Sequence, residues 1–230
     1  MITFLCSYYI AVGTSAGTIS IRDTRDLNKQ LISVNAHNGG INAMAITQDC
    51  SRLVTGGHDK RLRIWKLPNL DCDFNFNEGS KVWCIAITPD NLVVISGCDD
   101  GSIRLHTMAT GRSSMINAHR APVTDIACLS TRYIVTGGAD GDITLWDLET
   151  SSAVKRIHLI NRWINSLACI GQDYAAIASG QDNTISLWNL HNEQLRTTVK
   201  ASASPWCIRR LQASTVVYGC TDGRIQSWDT

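Results

Sequence analysis

Short runs of alternating apolar and polar residues, each bounded by a turn, recur along the whole of this chain. Asp142-Ile143-Thr144-Leu145 is typical, with the period of two that turns one face of a β-strand inward. Ahead of it, Tyr133-Ile134-Val135-Thr136 is rich in β-branched and aromatic residues and reads as a neighbouring strand. Asp140-Gly141 between them marks a tight turn, because glycine accepts positive φ without steric cost. Val123, Ile126 and Cys128, after Pro122, form a further apolar stretch before this pair, and residues 154–159 a looser one after it. The pattern predicts four strands in about forty residues.

The same phrase returns six times. It reads small–Gly–x–x–Asp–Gly–x–Ile–x–Leu–Trp, and its copies end at Arg22, Trp65, His106, Trp146, Trp188 and Trp228, at intervals of 43, 41, 40, 42 and 40 residues. Six positions before each end stand Asp59, Asp100, Asp140, Asp182 and Asp222, with Ala16 breaking the series. Three positions before it stand Ile19, Leu62, Ile103, Ile143, Ile185 and Ile225. A period near forty built from short strands predicts a solenoid or propeller. It also favours binding over catalysis, since repeat folds present surfaces more often than reactive groups.

Composition narrows the partners. The 230 residues carry 21 basic and 20 acidic side chains, a net charge of +1 with no basic stripe, so nucleic acid is not the default partner. No apolar run approaches the roughly 20 residues of a membrane span, and direct membrane binding is unsupported. The apolar start, residues 1–12, lacks a basic leader and aligns with later strands, so it reads as structure and not as an address. The nine cysteines form no Cys-x-x-Cys pair and no zinc spacing, so no metal or cofactor is expected. Cys84, Cys128, Cys169 and Cys207, among apolar neighbours, read as small buried hydrophobes in a reducing, intracellular compartment, with the cytoplasm the first expectation and the nucleus or cilium the alternatives.

These copies resemble the repeats of the WD-repeat, or beta-transducin, β-propeller family over nearly the whole chain. The Trp-Asp dipeptide stands at Trp146-Asp147 and Trp228-Asp229, with weaker forms Trp65-Lys66, Trp188-Asn189 and Arg22-Asp23, while His106-Thr107 has lost both letters. The resemblance implies an all-β propeller of four-stranded antiparallel blades, forming one domain over residues 1–230. Its first and last repeats are expected to be incomplete. Because the chain starts inside a first strand and stops two residues after Trp228, an imperfectly closed ring is expected, a piece of a propeller with six or seven blades.

In that family a His, a Ser/Thr, the turn Asp and the Trp form a buried hydrogen-bonded chain. Two copies hold all four: His37, Thr55, Asp59, Trp65 and His119, Thr136, Asp140, Trp146. Such a set recurs in parallel, whereas an active site would be single, so it reads as structural. Copies three, five and six lack the His, at Gly79-Ser80, Asn161-Arg162 and Ala203-Ser204, and their blades are expected to be looser.

The remaining tryptophans, Trp83, Trp163 and Trp206, fall on positions that resemble the partner-binding rim of the family's top face. Asn42, Asn165, Lys81, His58, Asp99 and Gln181 join them by the same correspondence. Aromatic side chains in exposed pockets are typical binding anchors, and Trp83 and Trp206 are expected to meet one partner. The resemblance therefore implies a non-catalytic scaffold that binds proteins or peptides within a multi-protein complex. The alternative is an architectural segment of a ciliary, coat or ribonucleoprotein assembly. An enzyme is disfavoured, because no nucleophile motif, metal spacing or phosphate loop is present.

Overall fold

The computed structural model describes residues 2–6, 9–159, 163–171, 173–179, 182–212 and 214–230. These residues form twenty-three β-strands and no helix. Two compact units divide them, residues 1–115 and 116–230.

In the first unit, β1 (Ile2–Cys6), β2 (Tyr9–Gly13), β3 (Thr18–Asp23) and β4 (Asp26–Asn35) form one antiparallel sheet. The second sheet holds β5 (Ile41–Ile46), β6 (Arg52–Gly57), β7 (Arg61–Lys66) and β8 (Asp71–Asn77). The third holds β9 (Val82–Ile87), β10 (Val93–Cys98), β11 (Ser102–Thr107) and β12 (Ser113–Asn117). In the second unit, the fourth sheet is β13 (Val123–Cys128), β14 (Tyr133–Gly138), β15 (Asp142–Asp147) and β16 (Ser152–His158). The fifth is β17 (Ile164–Ile170), β18 (Tyr174–Ser179), β19 (Thr184–Asn189) and β20 (Gln194–Lys200). The sixth has three strands, β21 (Pro205–Arg210), β22 (Thr215–Cys220) and β23 (Ile225–Asp229). The fold class is thus all-β, with the four-stranded antiparallel blades of a β-propeller.

The expectation of an incomplete first repeat is corrected. Residues 2–6 supply its first strand, pairing Ile2 with Val12 and Phe4 with Ile10, so the sheet has four strands. Among the described residues the last sheet has three strands. Tyr8, included in the alignment of the chain's start, lies outside the described residues.

One turn explains the phrase. The residue after each turn Asp position has positive φ in all six copies: Gly17 at 85°, Lys60 at 62°, Gly101 at 81°, Gly141 at 80°, Asn183 at 57° and Gly223 at 82°. Glycine and asparagine adopt this region most easily. The Asp carboxylate accepts the backbone N–H two residues on, from Arg61 (3.2 Å), Ser102 (3.0 Å), Asp142, Thr184 and Arg224 (each 3.1 Å), and so closes the turn. Ala16 has no such oxygen. In that copy Thr14 Oγ1 accepts the N–H of Thr18 at 3.1 Å instead.

Packing runs from sheet to sheet within each unit. Val54, Leu62 and Ile64 of the second sheet pack with Val94, Ile85 and Ile87 of the third. Val135, Ile143 and Leu145 of the fourth pack with Ile164, Leu167 and Ile177 of the fifth. The inward slot three before each end is fully buried in the first five copies, but Ile225 in the last is 78% exposed. Eight cysteines among the described residues are free thiols. Cys84 and Cys169 are buried, Cys128 is half-buried, and Cys207 is exposed, which corrects its reading as a buried hydrophobe.

Candidate functional site

Both complete sets of network residues converge. In the second sheet His37 Nδ1 lies 2.7 Å from Asp59 Oδ1, and its Nε2 lies 2.8 Å from Thr55 Oγ1. Trp65 Nε1–H donates to the same hydroxyl at 2.9 Å. In the fourth sheet the corresponding distances are 3.0 Å (His119–Asp140), 2.7 Å (His119–Thr136) and 2.9 Å (Trp146–Thr136). Each threonine hydroxyl accepts from the indole and gives its single proton to Nε2, leaving Nδ1–H to donate to the carboxylate. The polar atoms are therefore satisfied in series, with no nucleophile spare. A glycine makes room for this. A Cβ at Gly57 would stand 2.7 Å from His37 Nδ1, and one at Gly138 would stand 2.5 Å from His119 Nδ1.

His119→Ala and Asp140→Ala are each expected to destabilise the fold by about 1–3 kcal/mol, since each strands a buried partner. Because the two share one chain, the double variant should lose less than the sum. A cycle of chemical denaturation measurements checks this, and fully additive losses would count against the network.

These networks also make the fold acid-sensitive. Burial lowers the proton affinity of His37 below its ordinary 6.5, outweighing the pull of Asp59. Burial works to raise Asp140, but the hydrogen bonds from His119 and the Arg120 N–H hold it down at about 2. Both groups take up protons more readily when unfolded, so their stabilisation is complete above the ordinary values and is lost as pH falls. The His37 share fades below about 6.5, and the Asp140 share between its ordinary 3.8 and about 2. The melting-temperature advantage of wild type over His37→Gln should therefore shrink between about pH 7 and about pH 5.

The third copy departs from its sequence reading. The position equivalent to His37 is Glu78, not Gly79-Ser80: each stands 28 residues before its copy's end. Glu78 is buried, its Oε2 accepts from Ser96 Oγ at 2.7 Å, and its Oε1 lies 3.0 Å from His106 Nε2. That last contact is close enough for an ion pair but is not aligned as a hydrogen bond. His106, in the tryptophan slot, meets Ser113 Oγ through Nδ1 at 2.7 Å and packs on Phe76 with ring centres 4.2 Å apart. The Cys98 thiol also points at Glu78, and burial pushes it up to about 11. The third copy is thus not a gap in the series: a buried Glu78–Ser96 hydrogen bond, with His106 beside the carboxylate, stands in place of the His–Thr–Trp chain. The 28-residue spacing that Glu78 shares with His37 was the signal for it, while His119 stands 27 residues before its end.

The fifth copy's His slot, Asn161-Arg162, lies outside the described residues. Its Trp188 donates to Ser186 Oγ at 2.9 Å, because Ala178 fills the threonine slot. In the sixth, Ser202 Oγ donates to Asp222 Oδ2 at 3.0 Å and partly replaces the missing His–Asp pair.

The rim residues fall into two groups, one per unit. In the first unit Trp83 is 40% exposed, its Nε1–H donates to Asp99 Oδ1 at 2.7 Å, and His58 meets the ring edge-on at 6.1 Å. The Asp99 N–H donates to the carbonyl of Lys81 at 2.9 Å, which ties these residues into one exposed cluster. In the second unit Trp163 is 58% and Trp206 67% exposed. Asn42 and Asn165 are engaged within the fold: their Nδ2 groups donate at 2.9 Å to the carbonyls of Val82 and Pro205, on the first strand of the next sheet. Gln181 lies outside the described residues.

Sequence reasoning missed a buried cluster on the first strands of the second unit. Asp125 Oδ2 accepts from Ser166 Oγ (2.5 Å), Leu167 N–H (3.0 Å) and Arg209 Nη1 (3.2 Å). The same Arg209 nitrogen donates to Ser166 Oγ at 3.1 Å and to its own neighbour's carbonyl, Ile208 O, at 2.8 Å. One guanidinium nitrogen therefore ties three consecutive sheets. In the first unit the Asp125 position holds Ala43 and Cys84, so the repeat pattern carried no trace of it. Among the described residues no group of three His, Cys, Asp or Glu side chains could hold a metal ion. Among the described residues, too, no helix is long and apolar enough to cross a membrane.

Repeated antiparallel blades, four-stranded in five of six described sheets, closed by an Asp turn in copies two to six and in two cases by a His–Thr–Trp chain, define a repeat β-propeller protein. The family model for the WD domain, G-beta repeat, matches residues 28–66, 71–107 and 112–147, and the chain belongs to the WD-repeat family. It is similar to autophagy-related protein 16 of Arabidopsis thaliana, 25% identical over 177 residues, covering 74% of this chain and 34% of that protein. It is also similar to cilia- and flagella-associated protein 52 of Chlamydomonas reinhardtii, 26% identical over 235 residues, covering 95% of this chain and 36% of that protein. The sterol regulatory element-binding protein cleavage-activating protein of Xenopus laevis is 29% identical over 156 residues, 67% of this chain and 12% of that protein. The chain spans about a third of the length of the first two relatives.

Proposed function

We propose that this chain is a non-catalytic interaction scaffold that binds proteins or peptides through exposed indoles, Trp83 in one unit and Trp163 and Trp206 in the other. One contrast carries the reading: the network tryptophans Trp65 and Trp146 are buried, whereas these three stand exposed. A large exposed ring is costly to keep in water and valuable at an interface. Lys81, His58 and Asp99 supply the polar fringe around Trp83. Free thiols suit a reducing compartment.

The test is capture of partners from lysate by wild type, followed by Trp163→Ala and Trp206→Ala. Each change should weaken a captured partner by about 2 kcal/mol or more if the indole is an anchor. Unchanged affinities in all the rim variants would remove the proposal.

A second reading, an architectural part of a ciliary assembly, is favoured by one observation. The match to the cilia- and flagella-associated relative runs over 95% of this chain. Co-fractionation of the tagged protein with isolated axonemes would support it, and exclusive recovery elsewhere would end it.

A further inference from the structure

Two grooves of one design open between consecutive sheets. In the first unit, Tyr9, Ile21 and Leu31 of the first sheet face Leu67 and Pro68 beyond β7, around a volume of about 550 Å³. In the second unit, Leu129, Tyr133, Leu145 and Val154 face Asp173 and His191 of the next repeat, around about 400 Å³. Tyr9 and Tyr133 are equivalent residues, each thirteen before the end of its copy.

The second copy has Arg52 at that position, and there the chain supplies its own occupant. Arg52 Nη1 crosses to the third sheet and donates to the Met108 carbonyl at 3.2 Å, while its Nη2 lies 3.2 Å from Asp73. Met108 stands two residues past the end of its copy, as Leu190 does beside the Tyr133 groove. An arginine side chain, its fork shared between the carbonyl of the next sheet and a carboxylate of its own, is therefore a shape this junction accepts.

The Tyr133 groove adds what a guanidinium needs. Asp173 is an exposed carboxylate at its mouth, in a surface pair with His191 at 2.8 Å that costs little to break. The Tyr133 ring is already a partner for one guanidinium, that of Arg132 at 5.3 Å, whose nitrogens are held by Asp147 and Glu149. Lys155, the like charge on the lining, is drawn to Glu193 at 3.0 Å. The Tyr9 groove has no carboxylate among its lining residues.

We propose that the groove between the fourth and fifth sheets binds an arginine side chain of a partner peptide, as Arg52 fills the equivalent junction within the chain. The probe is a capped alanine pentapeptide with arginine at its centre, titrated beside the citrulline and norleucine versions and followed by NMR. The arginine peptide should bind about tenfold more tightly than the citrulline one. Tyr133→Arg, which copies Arg52, should abolish binding without lowering the melting temperature. Asp173→Asn should weaken binding several-fold, and Tyr9→Ala should leave it unchanged. Equal binding of citrulline or norleucine, no saturable binding by about 10 mM, or intact binding to a folded Tyr133→Arg would each overturn the proposal. Should that variant not fold, the surface change Asp173→Asn decides alone, and unchanged affinity there would overturn the proposal.

Discussion

Trp65→Ala is expected to cost about 3–5 kcal/mol of stability, while Trp83→Ala leaves the melting curve nearly unchanged. The two residues are of one type and lie in adjacent sheets, but their surroundings differ. Trp65 packs among Leu53, Met44 and Leu70, and its Nε1–H closes the hydrogen-bonded chain on Thr55. Truncation would open a cavity and remove one partner from a buried hydroxyl. Trp83 is 40% exposed, and its N–H is satisfied by Asp99, itself an exposed residue. Removing that ring empties no core. Thermal unfolding of both variants, beside their recovery of whatever partner wild type captures, separates folding from binding. If Trp83→Ala unfolds the protein while capture per folded molecule is unchanged, Trp83 is core and its assignment as an anchor fails.

Asp125→Ala is expected to destabilise the second unit by about 2–4 kcal/mol. It removes the acceptor shared by Ser166, the Leu167 N–H and Arg209, two of which are buried groups with no route to water. Arg209→Ala should cost less, about 1 kcal/mol, because its side chain is 68% exposed and the Asp125 carboxylate keeps its other two donors. The double variant should be scarcely worse than Asp125→Ala alone, since the interaction is counted once. Urea unfolding curves check this ordering. An Arg209→Ala loss as large as that of Asp125→Ala would mean that the guanidinium, not the carboxylate, holds the three sheets.

The blades were legible because a period-two pattern and a turn are local. Asp140-Gly141 states its own conformation: the carboxylate reaches the N–H two residues on, and the glycine takes a φ of 80°. The two four-membered networks were legible for a related reason. Their Thr and Asp stand ten and six residues before the end of each copy, and His37 and His119 stand 28 and 27 before it, so the two sets identify each other without any other sequence. Glu78 was missed because it keeps the spacing and changes the chemistry. A carboxylate in a histidine's place makes sense only once His106 is seen in the tryptophan's place beside it.

Period, turn and inward alternation were therefore set by the sequence itself, since each depends on residues within one blade and on backbone geometry common to all chains. Contacts between sheets were decided only by the tertiary structure. Asp125, Ser166 and Arg209 lie 41 and 43 residues apart along the chain, and nothing in any one copy marks them as partners. The same holds for Arg52, whose crossing to Met108 fills a junction that Tyr133 leaves open. A side chain's neighbours across a sheet-to-sheet boundary follow from packing, and packing is a property of surfaces brought together, not of spacing along a strand.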